Sequence, residues 1–333
     1  MVNLIDRFGR IHNYLRISVT DNCNFRCFYC NPNSAKDCNT GKDSLLSFEE
    51  ISRVINLFSS HFGFNKFRFT GGEPLVRKGF IDYLSDIQKL KNKLNFKVGL
   101  TTNGYLLSYY LPKIIDAGID YINISLDTLD RIKFKQITKI DVFDNVLNSI
   151  YNTLDYGFDN LKINVVVMKG INDDEILDFV HFAITKNINI RFIEYMPFSD
   201  NDWNKEDFFS YFDMKSIIET KYKLIADNTN NNSVAKDFIL SGYNGKISFI
   251  SSISEHFCNS CNRVRIASNG DFRTCLFSDD KKSLNFKYLF KNGFDDNDIA
   301  LKVIEMINDK WEKHPDEISL KKLKSNNMFM IGG

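Results

Sequence analysis

Apolar residues recur with two periods along the first two hundred positions. Short runs rich in β-branched and aromatic residues predict six strands: 15-LRISVT-20, 66-KFRFTGG-72, 97-KVGLTTNG-104, 121-YINISLD-127, 162-KINVVVM-168 and 190-IRFIEYM-196. Between them the apolar positions fall at helical spacing. ISRVINLFSSHF follows a Ser47/Glu50 capping box, and further helices run through 79–91, 106–118, 143–157 and 173–186. Gly118 and Gly157 read as helix stops. Strand and helix alternate six times, and parallel neighbours need such crossovers. Six units fall short of the eight that close a barrel, so the predicted class is α/β, a partial, open (β/α)6 barrel of the TIM type. Sites in such folds gather at the C-terminal strand ends, and the polar motifs of this chain sit there: a cysteine loop, then GGEP, TTNG and SLD.

Past residue 200 the pattern changes. DWNKEDFFSYFDMKSIIETKY precedes the Asn-rich 226-ADNTNNNSVAKDF-238, which reads as a surface loop. A β-rich piece follows, with SNGD as a hairpin turn, and then a mostly polar helical tail ending in MFMIGG. The chain thus divides into a barrel core over 1–200 and a C-terminal region over 201–333, a β-rich extension expected to cover the barrel mouth.

Composition changes this picture only by exclusion. Of 333 residues, 43% are hydrophobic and 26% charged, an ordinary globular profile. A formal net charge of +1 offers no global field for nucleic acid or an anionic membrane. No apolar run reaches the roughly 18–20 residues of a membrane span, and the first residues lack a signal-peptide pattern. A cytoplasmic location is the default expectation, in which seven cysteines read as metal ligands or free thiols rather than disulfides.

Six of those cysteines form two trios. Cys23, Cys27 and Cys30 lie on the loop after the first strand, with Phe25, Phe28 and Tyr29 interleaved. Structural zinc prefers four ligands, and no nearby histidine supplies a fourth. A 4Fe–4S cluster on three thiolates instead leaves one iron open to a small molecule. Cys258, Cys261 and Cys275 repeat the arrangement. There a zinc site completed by His256 stands as the alternative to a second three-cysteine cluster. Cys38 belongs to neither trio and reads as an incidental thiol.

CNFRCFYC after LRISVT, with GGEP after the second strand, resembles the radical S-adenosylmethionine superfamily. The resemblance implies that S-adenosylmethionine chelates the open iron of the first cluster, and that electron transfer cleaves it to a 5′-deoxyadenosyl radical. The GGEP glycines would let backbone approach the methionine moiety, with Glu73 accepting from its ammonium group. The two trios, 261-CNRVR-265, RFIEYM, GKISFISSISEHFCNSCNRVRI and the terminal GG are similar, within that superfamily, to the GTP 3′,8-cyclase family of molybdenum cofactor biosynthesis. That resemblance runs over residues 15 to 333. Asn22 and Asn31 depart from it, standing where Arg and Met are usual, but every ligand position is kept.

The resemblance implies radical cyclisation of GTP to (8S)-3′,8-cyclo-7,8-dihydroguanosine 5′-triphosphate on an enzyme with two 4Fe–4S clusters, the second holding guanine. A triphosphate on a nearly neutral chain must be met by local cations, expected at Arg16, Arg68, Lys162, Arg263 and Arg265. Arg16 and Arg68 alternate with apolar neighbours and so point into the barrel, while Arg263 and Arg265 share one strand face. By resemblance Thr101 also contacts substrate, and Tyr29, Gly72, Ser125 and Met196 contact S-adenosylmethionine. Arg263, Arg265, Gly332 and Gly333 are implied in catalysis, the terminal glycines reaching into the active site. An electron donor, a downstream cyclic pyranopterin monophosphate synthase and a homodimer are the implied partners, with no nucleic acid and no membrane. A radical peptide maturase with an auxiliary cluster is the alternative, and a non-catalytic metal-bearing nucleic-acid-binding protein the distant one.

Overall fold

A computed structural model of the chain describes residues 2–30, 44–198, 201–227, 234–278, 284–323 and 328–331. Asn31, Cys38, Gly332, Gly333 and the centre of the Asn-rich stretch lie outside the described residues. Six parallel strands form where the alternation places them: β1 (Tyr14–Ser18), β2 (Lys66–Thr70), β3 (Lys97–Thr102), β4 (Tyr121–Ser125), β5 (Leu161–Val167) and β6 (Asn189–Glu194). They pair in sequence order. In β5, Leu161, Ile163, Val165 and Val167 are buried, whereas Lys162, Asn164 and Val166 face a central cavity. The period of two separates a dry outer face from a polar inner one.

The later strands do not make a sheet of their own. β7 (Leu224–Ala226), β8 (Lys236–Leu240), β9 (Lys246–Ile250), β10 (Arg263–Ile266), β11 (Asp271–Arg273) and β12 (Leu284–Asn285) extend the first sheet on both edges. β9 lies parallel to β6, and β10 parallel to β1. The C-terminal region therefore reaches the barrel by taking up the open edges of β1 and β6, whose backbone groups need partners. β10 and β11 join through 268-SNGD-271, the expected hairpin. β9 and β10 are not paired with each other, so the barrel stays open.

Helices α1 (Phe48–Phe62), α2 (Phe80–Leu94), α3 (Leu107–Asp116), α4 (Arg131–Thr138), α5 (Phe143–Asp155) and α6 (Ile176–Lys186) include the crossovers. The capping box on α1 is present in both directions, Glu50 N to Ser47 Oγ at 3.1 Å and Ser47 N to Glu50 Oε2 at 2.7 Å. Such a cap contributes about 1 kcal/mol. Phe58 of α1 packs its ring 4.9 Å from Phe64 and 5.9 Å from both Phe272 and Phe286, joining the barrel core to the C-terminal region. Helix α4 has no counterpart in the sequence reading, because RIKFKQIT buries only Phe134, Ile137 and Thr138. Among the described residues no helix is long and apolar enough to cross a membrane.

Candidate functional site

A cavity of about 700 Å³ runs along the inner face of the parallel strands. Asn13 and Asn65, just before β1 and β2, line it, and so do Cys23, Gly71 and Gly72, which follow those strands. The cavity thus spans a whole strand, about 16 Å at 3.3 Å per residue. A smaller pocket of about 40 Å³ holds Cys258, Cys261 and Cys275 and shares Ser252, Phe257, Arg263, Arg265 and Leu276 with the large cavity.

The first cysteine loop is held from three sides. Arg26 N and Phe28 N donate to the carbonyls of Thr138 and Ile137 at 2.9 and 3.2 Å, so the end of α4 carries the loop. Phe25 stands edge-on to Phe134 at 5.9 Å. Gly72 N donates to Thr20 O at 2.7 Å, and Glu73 N to Asn22 O at 2.8 Å. A Cβ on Gly71 would lie 2.3 Å from Thr20 O, and one on Gly72 2.3 Å from Asn22 O. Only glycine allows that approach, so the GG pair first serves to seat the cysteine loop.

The three thiols of this loop are free and half-buried. Burial pushes Cys23 up to about 11, helped by Glu73, and pushes Cys27 and Cys30 further up, with Asp127 adding to the effect. Burial of this kind disfavours the free thiolate, so none of the three is set up as a nucleophile. Phe25 N and Asn103 Nδ2 point at Cys23 Sγ from 3.4 and 3.9 Å, the kind of donor that supports a thiolate ligand. Three thiolates, with backbone brought close by glycines, fit a 4Fe–4S cluster with one open iron.

The second trio has mixed surroundings. Burial raises Cys258, and burial opposes ionisation of Cys261 as well, yet Lys310 and Arg263 bring Cys261 down to about 6. Lys310 is buried and donates to Arg263 O at 2.8 Å. Arg10 donates from Nη1 to the carbonyls of Cys258 and Glu312, both at 2.8 Å, and from Nη2 to Trp311 O at 2.6 Å. His256 does not line this pocket; it sits 4.4 Å from the His314 ring with Nδ1 at 3.3 Å from Ser252 O. His314 lines it, but its two ring nitrogens lie 2.7 and 2.8 Å from the carbonyls of Pro315 and Ser252. No group of three or more Cys, His, Asp or Glu among the described residues converges on a single-ion site.

Along the strands between these two places the cavity wall is cationic. Arg16, Lys66, Arg68, Lys162, Arg191, Arg263 and Arg265 all line it. Burial and the neighbouring cations push Arg16 down to about 9 and Arg191 to about 10, and bring Lys162 to about 8. Arg265 is lowered well below its ordinary value by burial, Arg16 and Arg263. Several buried like charges are costly unless an anion meets them. Tyr14 stands among them. Burial opposes its ionisation, but Arg68, Arg16 and Lys66 lower it to about 7.

Thr101, Ser125, Tyr29, Gly72 and Met196 also line the cavity. Glu73 does not. It is fully buried, with Oε1 accepting from Leu75 N and Thr102 Oγ1 and Oε2 from Asn103 N. Through those donors it joins the GGEP turn to the TTNG turn. Gly332 and Gly333 lie outside the described residues; Ile331 nearby is buried, and its carbonyl lies 3.4 Å from Arg265 Nη1. Arg191, Lys66 and Tyr14 are additions that the sequence reading missed. In NIRFIE, Arg191 alternates with buried Ile190 and Phe192, the same signal that marks Arg16 and Arg68.

The radical SAM superfamily pattern matches residues 17–183, and the Molybdenum Cofactor Synthesis C pattern matches residues 188–316. The chain is 42% identical over 333 residues to molybdenum cofactor biosynthesis protein 1 of Dictyostelium discoideum, covering 99% of this chain but only 52% of that protein. It therefore spans about half the length of that relative. It is 40% identical to the mitochondrial GTP 3′,8-cyclase of Arabidopsis thaliana, over 99% of this chain and 83% of the relative. Against the GTP 3′,8-cyclase of Syntrophomonas wolfei it is 38% identical, over 99% and 100% of the two chains. Among solved structures, Streptococcus suis SuiB bound to its precursor peptide superposes with a TM-score of 0.63 at 17% identity, over 94% of this chain and 76% of that one, a likeness of fold.

Proposed function

The chain belongs to the radical SAM superfamily, in the branch that carries the molybdenum cofactor synthesis C-terminal region, and on that premise we propose that it is a GTP 3′,8-cyclase. It converts GTP to (8S)-3′,8-cyclo-7,8-dihydroguanosine 5′-triphosphate with S-adenosylmethionine and a reductant, the first step of molybdenum cofactor biosynthesis. One observation carries the reading: a single cavity has a thiol trio at its C-terminal strand end, a wall of arginines and lysines along its length, and a shared wall with a second thiol trio.

A 4Fe–4S cluster on Cys23, Cys27 and Cys30, when bound, supplies the electron that splits S-adenosylmethionine into the radical able to take the ribose 3′ hydrogen. Tyr29, Gly72, Ser125 and Met196 bind and orient S-adenosylmethionine. Arg16, Arg68, Lys162 and Thr101 hold the triphosphate, and Arg191 belongs with them. Planar guanidinium forks match phosphate oxygens, and a dry wall strengthens each bond. Arg263 and Arg265, in the wall between the two cavities, fix the substrate against a second 4Fe–4S cluster on Cys258, Cys261 and Cys275. Holding two reactants in line is worth about 7–11 kcal/mol. Buried Phe25 and Tyr29 keep water from the first trio. Catalytic roles for Gly332 and Gly333 belong to the same proposal.

An electron donor, a cyclic pyranopterin monophosphate synthase that takes the product, and a second copy of the chain are the proposed partners. A reducing compartment suits six thiols kept for metal, and the cytoplasm is the one proposed. The test is anaerobic reconstitution with iron and sulfide, then reductant, S-adenosylmethionine and GTP. About eight irons per chain and 5′-deoxyadenosine that forms only with GTP are expected. Deoxyadenosine released regardless of GTP would sink the substrate assignment, and release dependent on a peptide would move the chain to the maturases.

A further inference from the structure

Gly99 lies in the middle of β3, in register with Arg68 on β2. Its backbone is outside the left-handed region, so no turn or bulge calls for glycine here. A strand interior loses stability to glycine, and an unforced one marks a place where something approaches closely. That neighbour is the Arg68 head. A Cβ on Gly99 would lie 2.6 Å from both Cζ and Nη2 of Arg68, and 3.0 Å from Nε.

The guanidinium is pinned in that seat from both sides. Its Nε donates to Tyr14 Oη at 2.7 Å, and its Nη1 donates to Leu100 O at 2.9 Å and Thr101 Oγ1 at 3.3 Å. Nη2 has no hydrogen-bond partner among the described residues, and Arg68 lines the cavity. We propose that Gly99 and Tyr14 are positioning residues for Arg68: the absent side chain and the phenol oxygen hold the guanidinium flat against β3 with Nη2 presented to a polyphosphate ligand. The inference rests on the reading that this cavity takes a nucleoside triphosphate. With a Cβ at position 99 the Arg68 head must lift from Leu100 and Thr101. Because that head is the flexible end of a side chain, the fold accommodates the change and only the aim is lost.

The experiment compares wild type, Gly99→Ala, Arg68→Ala and the double variant as reconstituted holoenzyme. It measures binding of GTP, inorganic tripolyphosphate and S-adenosylmethionine, together with thermal unfolding. Gly99→Ala is expected to weaken GTP and tripolyphosphate about tenfold or more, leave S-adenosylmethionine unchanged, and still unfold in a single cooperative transition. In the Arg68→Ala background the added alanine is expected to cost nothing further. Tyr14→Phe is expected to show a smaller loss with the same selectivity. Tripolyphosphate affinity in Gly99→Ala within about twofold of wild type overturns the proposal. So does an equal loss of S-adenosylmethionine binding, or a penalty that persists without Arg68. Wild type that binds tripolyphosphate but not GTP defeats the guanosine reading alone. Wild type that binds neither defeats both.

Discussion

The Tyr29 hydroxyl donates to Asp127 Oδ2 at 2.6 Å and so ties the cysteine loop to the end of β4. The other carboxylate oxygen accepts from Val166 N at 2.8 Å, and the Asp127 carbonyl accepts from Asn172 Nδ2 at 2.6 Å. One buried aspartate thereby fastens the loop to two strands. Tyr29→Phe removes its donor while the carboxylate stays buried, at a cost of about 1–3 kcal/mol. Denaturant unfolding is expected to show that loss, and Asp127→Asn in the same chain to recover part of it, because the two groups are coupled. Strictly additive effects would mean that the pair is not the fastening.

Tyr14 makes polyanion binding pH-dependent. Its cationic neighbours Arg68, Arg16 and Lys66 hold it near 7, with Arg263 opposite it on β10 and Arg191 facing it. A bound triphosphate screens those cations and favours the neutral phenol, so GTP binding takes up protons. Affinity is expected to be highest below about 7 and to fall as pH rises through that value. Calorimetry in two buffers of different ionisation enthalpy reads the uptake directly, and Tyr14→Phe is expected to abolish it. Uptake that survives in the phenylalanine variant assigns the proton elsewhere.

Arg191 is predicted to weaken the free protein and strengthen the complex. It lies among like charges, and its Nε has no hydrogen-bond partner among the described residues. Arg191→Ala is expected to leave the unfolding temperature unchanged or raised while GTP affinity drops about tenfold or more. Ile190 and Phe192 stay packed on the outer face, so a general loss of stability would contradict this account.

Arg10 reaches across 248 positions to the Cys258 carbonyl while its Nε is paired with Asp6 at 2.6 Å. Arg10→Met, combined with Asp6→Asn to avoid a stranded carboxylate, removes the strut beneath the second trio. Iron is expected to fall from about eight to about four per chain, with S-adenosylmethionine still bound. Full iron content in the double variant would show that the trio is held without Arg10.

Periodicity alone determined the six parallel strands, the outward Leu15, Ile17 and Phe69, and the inward Arg16 and Arg68, because a period of two is a local property of a pleated chain. The same rule reaches Arg191, which alternates with buried Ile190 and Phe192 in β6. The cysteine trios were legible as spacing. The three donors that Leu75, Thr102 and Asn103 present to Glu73 are not legible in the sequence, which shows only a carboxylate beside two glycines. Helix α4 was missed because its apolar face is only three residues wide. Tertiary structure alone decided that β9 and β10 complete the two edges of the barrel, that Arg10 supports Cys258, and that Gly99 lies under Arg68. Each depends on register or on contacts between distant segments, where free energy is set by which groups meet across strands and not by their spacing along the chain.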